Sequence, residues 1–340
     1  MTTQTQTNDT ILVKDAPDIP GLRFRNFRGD ADIPEMVKVL NVVDRVDGND
    51  RVATVESLSK MYSNLLHSDP SKDMVMVEVN GQLVGYTRVT WWVELDNSRM
   101  YLHIGFLLPE WRGKGIGTAL VRHNEARLRE IAADHPNTDP RWFATSARGT
   151  DQNLNDVLVK EGYTPVRYGY DMVRPDLENI PDVAMPEGLE VRPVRTEDLH
   201  AIWEAEVEAF RDHWGAGETE EGDFERWQLN TPFQPEYWQV AWDMATNEPA
   251  GMVRTFIDAD HNRAFNHKRG YTENISVRRP YRRQGLARAL MARSFQLQKE
   301  QGMTETALSV DAQNPNGALQ LYEDMGFRVV HTDTSYRKAL

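Results

Sequence analysis

One six-residue motif occurs twice in the chain, and this repetition constrains the fold more than any other feature of the sequence. The motif reads Arg112-Gly113-Lys114-Gly115-Ile116-Gly117 in the first copy and Arg282-Arg283-Gln284-Gly285-Leu286-Ala287 in the second, 170 residues later. Each copy follows an apolar extended run and begins an amphipathic helix. Small residues between a strand and a helix N-terminus let backbone N–H groups approach an anion, which the helix dipole also favours. The motif therefore predicts two loops that bind a phosphate-like group.

The sequence around the two loops repeats as well. Residues 21–25 (GLRFR) recur at 188–192 (GLEVR), and residues 162–163 (GY) recur at 326–327 (GF). Landmarks in one order with a nearly constant offset indicate two copies of a whole domain. We therefore predict four segments, which are a tail at 1–19, an N-terminal domain at 20–175, a linker at 176–187 and a C-terminal domain at 188–340.

The order of elements within each copy predicts an α/β fold. Helical periodicity covers residues 33–43 in the first copy and 199–210 in the second. Asn80-Gly81 separates two alternating apolar runs and predicts a β-hairpin, because this dipeptide adopts the left-handed conformation that tight hairpin turns need. The second copy has a looser turn at 247–249. In both copies the strand before the loop, the loop and its helix come next, followed by another strand, a helix and a closing strand.

Composition excludes several classes of protein. The 340-residue chain is 40% hydrophobic, enough for two cores of ordinary size, and no apolar run approaches the roughly 20 residues of a membrane helix. The first six residues, MTTQTQ, are polar and uncharged, unlike a signal peptide. We expect a cytoplasmic protein.

The net charge and the residues that could bind a metal limit the kinds of partner and cofactor that we expect. A formal charge of −13 argues against nucleic acid and against anionic membrane surfaces, and it favours a cationic small molecule, although acidic surfaces commonly serve solubility alone. The chain has no cysteine, and its nine histidines show no paired spacing typical of zinc sites. We therefore expect no metal.

Two familiar nucleotide loops do not match the motif, whereas a third pattern does. A Rossmann fold needs G-x-G-x-x-G, and a P-loop needs G-x-x-x-x-G-K-[ST]. The second copy instead continues into Asn314-Pro315-Asn316-Gly317-Ala318-Leu319-Gln320-Leu321-Tyr322-Glu323-Asp324-Met325-Gly326-Phe327. Together, the loop, the helix and this segment resemble the GCN5-related N-acetyltransferase (GNAT) superfamily. The resemblance covers about residues 20–175 and 188–340, and the two-copy arrangement is similar to mycothiol synthase and related tandem acetyltransferases.

The resemblance implies a fold and a donor. Each copy should be a mixed, largely antiparallel sheet flanked by helices, and the loop amides should bind the pyrophosphate of acetyl-CoA, whose pantetheine arm lies where two strands separate. The implied acetyl-CoA-binding residues are those of the two loops, together with Leu107 and Val277 at the strand ends and Asn314. The alternative is a glycine-containing strand-to-helix turn without a ligand.

Two residues of the second copy are candidates for the chemistry. Glu273, on the strand before the loop, could accept the proton of an amine, with Asn274 and Tyr271 as rivals and a solvated glutamate as the alternative. Strand alternation groups Glu273 with Ile275 and Val277 on one face. Tyr322 stands where the family places a general acid for the leaving thiolate, and an ordinary core tyrosine is the alternative. The resemblance assigns the backbone N–H of Val277 to the oxyanion.

The first copy departs from this pattern. At the positions that match Glu273, Tyr322 and Asn314 it carries His103, Leu158 and Thr150. Leucine cannot donate a proton, although histidine could still act as a base. We predict that the N-terminal domain is degenerate and that the C-terminal domain is catalytic. The first copy should bind acetyl-CoA or act structurally, and it should not turn over.

The acceptor site is the least determined part of the sequence. Aromatic and acidic residues interleave in the second copy, which suits a pocket for a cationic amine or an amphipathic helix with a solvated face. They are Trp203, Phe210, His213, Trp214, Phe224, Trp227, Glu204, Glu206, Glu208 and Asp212. The best acceptor-binding candidates are His213 and Trp214.

These features favour an acetyl-CoA-dependent N-acetyltransferase that modifies a primary amine of a small molecule. A non-catalytic CoA-binding sensor or scaffold is the alternative, and transfer of a longer acyl group stays open. The duplication is compatible with a monomer with pseudo-two-fold domains or with a homodimer.

Overall fold

The chain divides into two units in a computed structural model that describes residues 9–49, 52–137, 140–229 and 232–340. Unit 1 comprises the described residues up to Val166 together with Thr334–Leu340. Unit 2 comprises Arg167–Asp333. Each unit is a mixed, largely antiparallel sheet flanked by helices, so the predicted fold class is confirmed.

Unit 1 holds the elements of the first copy. In chain order they are β1 (Leu22–Arg25), α1 (Ile33–Val46), α2 (Val55–Tyr62), α3 (Pro70–Asp73), β2 (Met74–Val79), β3 (Gln82–Val93), β4 (Arg99–Leu107), α4 (Ile116–Ala133), β5 (Arg141–Arg148) and α5 (Gln152–Lys160). Strands β1 to β4 pair antiparallel in sequence order, and β5 pairs parallel to β4. The predicted helix at 33–43 and the hairpin are present. Asn80 and Gly81 have φ of 50° and 79°, as a tight hairpin turn requires.

Unit 2 repeats this order. Its elements are β7 (Leu189–Arg192), α6 (Leu199–Phe210), α7 (Asp223–Leu229), β8 (Gln239–Asp243), β9 (Pro249–Phe256), α8 (Ala259–Phe265), β10 (Arg269–Val277), α9 (Leu286–Glu300), β11 (Glu305–Asp311) and α10 (Ala318–Asp324). Strands β7 to β10 pair antiparallel, and β11 pairs parallel to β10. The helix predicted at 199–210 has these bounds.

Helices cover both faces of the unit 2 sheet because its strands are apolar on both sides. On β8, Val240 packs with the α6 side chains Leu199 and Ile202, whereas Ala241 packs with Leu286 and Leu290 of α9. Neighbouring residues of a strand point to opposite faces, so α6 and α9 lie on opposite sides of the sheet. Full burial of such a leucine contributes roughly 1.5–3 kcal/mol, which fixes both helices to the strands.

The closing strands are exchanged between the units. Strand β6 (Thr164–Arg174) ends the first copy, but its residues from Arg167 onward belong to unit 2, where β6 pairs antiparallel with β11. Strand β12 (Arg328–Ala339) ends the second copy, but Thr334–Leu340 belongs to unit 1, where the Leu340 N–H donates to the carbonyl of Arg141 at 3.1 Å. The units therefore differ from the predicted domains, 20–175 and 188–340, at both closing strands. Because the two closing strands have similar sequence patterns, the sequence alone does not show which of the two units each strand joins.

The predicted tail at 1–19 is described from residue 9 onward, and residues 1–8 lie outside the described part. The segment packs on unit 1 because it carries apolar side chains and pairs with β1. The Ile11 N–H donates to the carbonyl of Phe24 at 2.9 Å, and Val13 is buried against Ile116 and Leu120 of α4. Residues 9–19 are therefore part of the unit.

Two features are absent from the described residues. None of the helices there is long and apolar enough to cross a bilayer. In the same residues, no group of three or more histidine or acidic side chains is arranged to hold a metal ion.

Candidate active site

The site lies in unit 2, where β10 and β11 separate. Their parallel register runs from Arg269↔Glu305 to Tyr271↔Ala307, whereas β10 continues to Val277 and β11 to Asp311. Backbone groups beyond the paired residues border a gap between the strands. The resemblance to the GNAT superfamily implied such a gap.

A cavity of about 450 Å³ occupies this gap. Most of the residues predicted for the second copy line it, namely His213, Glu273, Val277, Arg282, Arg283, Gly285, Leu286, Ala287, Asn314 and Tyr322. Gln284 is turned toward its own loop, where its amide donates to the carbonyl of Pro280 at 3.0 Å. The volume matches the range of small-molecule sites.

The glycine of the loop sets the direction of the helix that follows. Gly285 has φ 86° and caps α9 in the left-handed conformation, which is costly for other residues. Leu286, Ala287 and Arg288 come next and line the cavity. The first N–H groups of a helix have no partner within it, so this end of α9 offers donors and a positive dipole to an anion.

The first arginine of the motif braces the loop from within the protein. Arg282 Nε donates to the carbonyl of Val277 at 3.0 Å, and its two terminal nitrogens donate to Asp212 at 2.8 Å and to the carbonyl of Ala209 at 3.1 Å. In the first copy Arg112 makes the same bond to Leu107. The recurring arginine therefore joins the loop to the end of the preceding strand, and its side-chain nitrogens are engaged there.

Glu273 faces the gap between the two strands. Its Oε1 accepts the backbone N–H of Ser309, on β11, at 2.9 Å. Burial raises the pKa of Glu273 to about 8, and the negative charge of Asp171 contributes in the same direction, while the bond from Ser309 opposes it. A carboxylate of this proton affinity is suited to accept a proton near neutral pH.

A β-bulge in β10 makes the predicted strand alternation wrong. The register passes from Glu273↔Arg254 to Ser276↔Met252, and Asn274 within this step has φ 48°. The Thr272 hydroxyl lies 3.1 Å from that of Ser294 on α9, so Thr272 shares the α9 face with Ile275 and Val277. The extra residue reverses the alternation of side chains along β10. Glu273 therefore lies on the opposite face of the sheet from α9, beside Arg254.

Tyr322 projects from α10 and is buried against the α9 side of the core. Burial raises the pKa of Tyr322, and the negative charge of Glu273 raises it further. The phenol therefore keeps its proton at neutral pH. Because Tyr322 also lines the cavity, the structure brings a proton donor and the Glu273 carboxylate to one cavity.

The aromatic side chains of the predicted acceptor region separate into two groups. Trp203, Phe224 and Trp227 pack into the α6 core, which favours the amphipathic-helix alternative for these three side chains. Phe210 and His213 line the cavity, and burial lowers the pKa of His213. Trp214 is partly exposed and stacks under the Arg167 guanidinium, 5.6 Å from the ring centre.

The matching positions of the first copy are arranged differently. His103 is buried, its Nε2 lies 2.9 Å from the Tyr163 hydroxyl, and burial lowers its pKa to about 4, which makes it a weak base. Leu158 is a core residue. The Thr150 hydroxyl donates to the carbonyl of Asp47 at 2.6 Å, which ties the segment after β5 to the end of α1.

A second hydrogen bond joins the end of β5 to the chain after α1 in unit 1. The N-terminal segment of the chain also lies beside the loop at Gly115. Arg148 donates to the side chain of Asn49 at 2.8 Å. Pro17 lies 3.6 Å from where a Cβ on Gly115 would stand, whereas nothing in the described part of the chain comes within 4 Å of that position on Gly285. Although Gly115, with φ 88°, has the same conformation as Gly285, the surroundings of the two loops differ.

Sequence comparison agrees with this geometry. The sequence model of the acetyltransferase (GNAT) family matches residues 45–137 and 199–327, which include both loops. The chain belongs to the acetyltransferase (GNAT) family. It is therefore an enzyme of the acyltransferase class, and the tandem arrangement predicted from the repeated loop is confirmed.

Individual relatives of this acetyltransferase share its length. It is 25% identical to a mycothiol acetyltransferase of Salinispora arenicola over 314 residues, which cover 91% of this chain and 94% of the relative. Its structure is similar to a GCN5-related N-acetyltransferase from Sphaerobacter thermophilus, with 26% identity, a TM-score of 0.70 and coverage of 95% and 96%. A tandem GNAT protein from the clavulanic acid biosynthesis pathway shares the fold, at 14% identity, a TM-score of 0.67 and coverage of 94% and 98%.

The sequence did not reveal a buried carboxylate that binds Asn274, one of the residues lining the cavity of this acetyltransferase. Glu206, on α6, accepts from the Asn274 amide at 2.5 Å and from the Trp227 indole at 2.6 Å, and Arg254 lies 3.8 Å away. The group holds the bulge, because it binds the side chain of its left-handed residue. The sequence showed Glu206 only as one acid among several on an amphipathic helix.

The two loops should differ in CoA binding. Gly285→Val places a β-branched side chain at a positive φ beside the cavity, and bonds to charged groups contribute roughly 1.5–3 kcal/mol each, so affinity for CoA should fall at least about tenfold. Gly115→Val is the matched control, since it carries the same backbone cost and should leave the affinity unchanged. Isothermal titration of the full chain with CoA measures both. Unchanged affinity for CoA in Gly285→Val, or a loss of affinity in Gly115→Val, would contradict the prediction that CoA binds at the loop of unit 2.

Proposed function

We propose that the protein is an acetyl-CoA-dependent N-acetyltransferase that acts in unit 2 on a primary amine of a small molecule. The observation that carries this proposal is the cavity between β10 and β11, which brings Glu273, Tyr322 and the N-terminus of α9 together. Similarity over nearly the full chain to a mycothiol acetyltransferase supports a small-molecule acceptor.

The residues of the loop fit the pyrophosphate of acetyl-CoA. Gly285 leaves open space where any other residue would place a Cβ, and the first N–H groups of α9 follow directly. These groups would hold the pyrophosphate, while Val277 and Asn314, which line the gap between the strands, would border the arm of the donor. The thioester of the bound donor supplies the acetyl group.

Two side chains of unit 2 then carry out the proton transfers, one as the base and the other as the acid. Glu273 accepts a proton from the acceptor ammonium, directly or through water, so that the amine nitrogen can attack the thioester carbonyl. The backbone N–H of Val277 donates to the carbonyl oxygen as it gains negative charge. Tyr322 donates its proton to the departing sulfur. As the carbon–sulfur bond breaks, the new amide nitrogen gives up its second proton, which restores the Tyr322 phenol directly or through water. The amide then carries the acetyl group, and the leaving group departs as the thiol.

Unit 1 acts structurally under this proposal. Leu158 replaces the acid, and His103 is a buried, weak base. The hydrogen bonds from Thr150 and Arg148 join the two segments whose counterparts in unit 2 line the cavity. The chain should therefore bind one molecule of acetyl-CoA.

Acetyl transfer should be detected with a panel of amines. Acetyl-CoA is supplied with glucosamine, benzylamine or spermidine, and released CoA is measured with a thiol reagent. Because the chain contains no cysteine, the protein itself gives no background. At least one amine should release CoA faster than hydrolysis without acceptor, and the product should be its N-acetyl derivative. If neither these amines nor a wider set of amino acids and aminoglycosides does so, the proposed function is wrong.

Glu273 should determine the acid limb of the pH profile. Only its carboxylate accepts a proton, so kcat/KM should rise with pH through a midpoint near 8, the pKa of Glu273. In Glu273→Gln this limb should be replaced by one set by the acceptor ammonium itself, which loses its proton at pH ~10 when the amine resembles that of lysine, as in spermidine. An exposed glutamate at the end of α9 gives the control variant Glu300→Gln, which should keep the wild-type profile. A Glu273→Gln profile that matches wild type would exclude Glu273 as the base.

Tyr322→Phe should lower kcat while the fold is retained, because it removes the acidic proton and keeps the ring. Loss of a general acid typically costs 10²–10⁴-fold, and a fall of about this size is expected when chemistry limits the rate. Tyr163→Phe, at a buried tyrosine of unit 1, is the control and should leave kcat unchanged. Equal kcat for Tyr322→Phe and wild type in single-turnover measurements would remove Tyr322 from the mechanism.

A further inference from the structure

One serine connects Glu273 to a second carboxylate in unit 2. The backbone N–H of Ser309 donates to Glu273 Oε1 at 2.9 Å, and its hydroxyl donates to Asp171 Oδ1 at 3.0 Å. Strand register explains the arrangement, because Ser309 is paired with Asp171 between β11 and β6, and directly paired residues have side chains on the same face.

This second carboxylate comes from the first copy of the sequence. Asp171 lies on β6, before the linker, yet within unit 2. The equivalent residue of the second copy, 164 positions later, is Ser335, which belongs to unit 1. The exchange of closing strands therefore places a carboxylate beside Glu273 where the second copy's own strand has a serine.

The groups that face Glu273 come from several elements. Arg254 on β9 is its register partner, but this guanidinium also interacts with Glu206 and lies over the rings of Trp227 and Trp238. Tyr322 approaches from α10 and is uncharged at neutral pH. Ser309 contributes only neutral donors, which leaves the carboxylate of Asp171 as the anion that β6 brings to this site.

We propose that Asp171 is a positioning residue for the base Glu273, acting through Ser309 and through its own negative charge. The proposal rests on the proposed function only in naming Glu273 as the base. The hydrogen bond fixes Ser309, whose N–H orients the Glu273 carboxylate. The charge makes ionisation of Glu273 less favourable, which gives the carboxylate a stronger affinity for the proton of an acceptor.

Two variants separate the bond from the charge. Asp171→Asn keeps an oxygen that accepts from the Ser309 hydroxyl and removes the charge. Ser309→Ala removes the bond to Asp171 and keeps both the charge and the backbone N–H to Glu273. It also removes the Ser309 hydroxyl, which lowers the pKa of Glu273, so its effect on that pKa is opposite to the loss of the charge. Asp171→Ser, which copies position 335, is a second variant without the charge, should Asp171→Asn not fold. Asp260→Asn is the control, because Asp260 pairs with Arg263 on the separate helix α8.

The first measurement needs neither donor nor acceptor. The full chain is labelled with ¹³C at glutamate carboxyl groups, the Glu273 signal is assigned by its loss in Glu273→Gln, and its shift is followed against pH. Its midpoint should fall by about one pH unit in Asp171→Asn, as expected when a nearby like charge is removed. It should fall in Asp171→Ser as well, and it should not fall in Ser309→Ala or Asp260→Asn. A wild-type midpoint in both charge-free variants, or an equal fall in Ser309→Ala, would overturn the proposal.

The second measurement distinguishes positioning from a structural role. With the fastest amine among glucosamine, benzylamine and spermidine, the acid limb of kcat/KM in Asp171→Asn should move down in pH by the same amount as the Glu273 midpoint. Loss of activity by an equal factor at every pH, with the limb unmoved, would mean that Asp171 only supports the fold. Failure of the proposed function is recognised separately, because the wild-type protein would then release CoA with none of the amines, whereas the Glu273 midpoints are measured without donor or acceptor.

Discussion

The separation of β10 from β11 is the constraint on which the rest of the site depends. Two parallel strands that remained paired to their ends would satisfy each other's backbone groups and leave no space between them. Here the register ends at Ala307, and the cavity begins beyond it. Glu273 faces the opened region, and the start of α9 borders it. The cavity in which we propose that the chemistry takes place is thus a consequence of hydrogen bonds that one pair of strands does not make.

Local sequence was sufficient to predict features whose cause is local. The left-handed turn at Asn80-Gly81, the loop glycines at 115 and 285 and the helix at 199–210 all follow from the conformational preferences of a few adjacent residues. The loop and its flanking landmarks also predicted two copies, because repetition is visible in the sequence itself. Most loop residues of the second copy line the cavity.

Features set by register could not be predicted in this way. Strand alternation predicted that Glu273 shares a face with Ile275, but the bulge at Asn274 puts the two side chains on opposite faces. The bulge is held by Glu206, which lies on a helix distant in sequence. Ser309 and Asp171 become neighbours only when β6 pairs with β11. Helical periodicity likewise could not show that Trp227 belongs to the core while His213 borders the cavity.

The exchanged strands also link the histories of the two copies. After a duplication, one copy is commonly free to diverge once the other keeps the activity. Here the last strand of the first copy lies in the unit that contains the candidate active site, while the last residues of the second copy complete the other unit. A gene cut at the linker would therefore give two fragments that each lack a strand of their own sheet. Selection on the activity proposed for unit 2 would consequently act on residues on both sides of the linker, so neither half of the chain could change independently of the other.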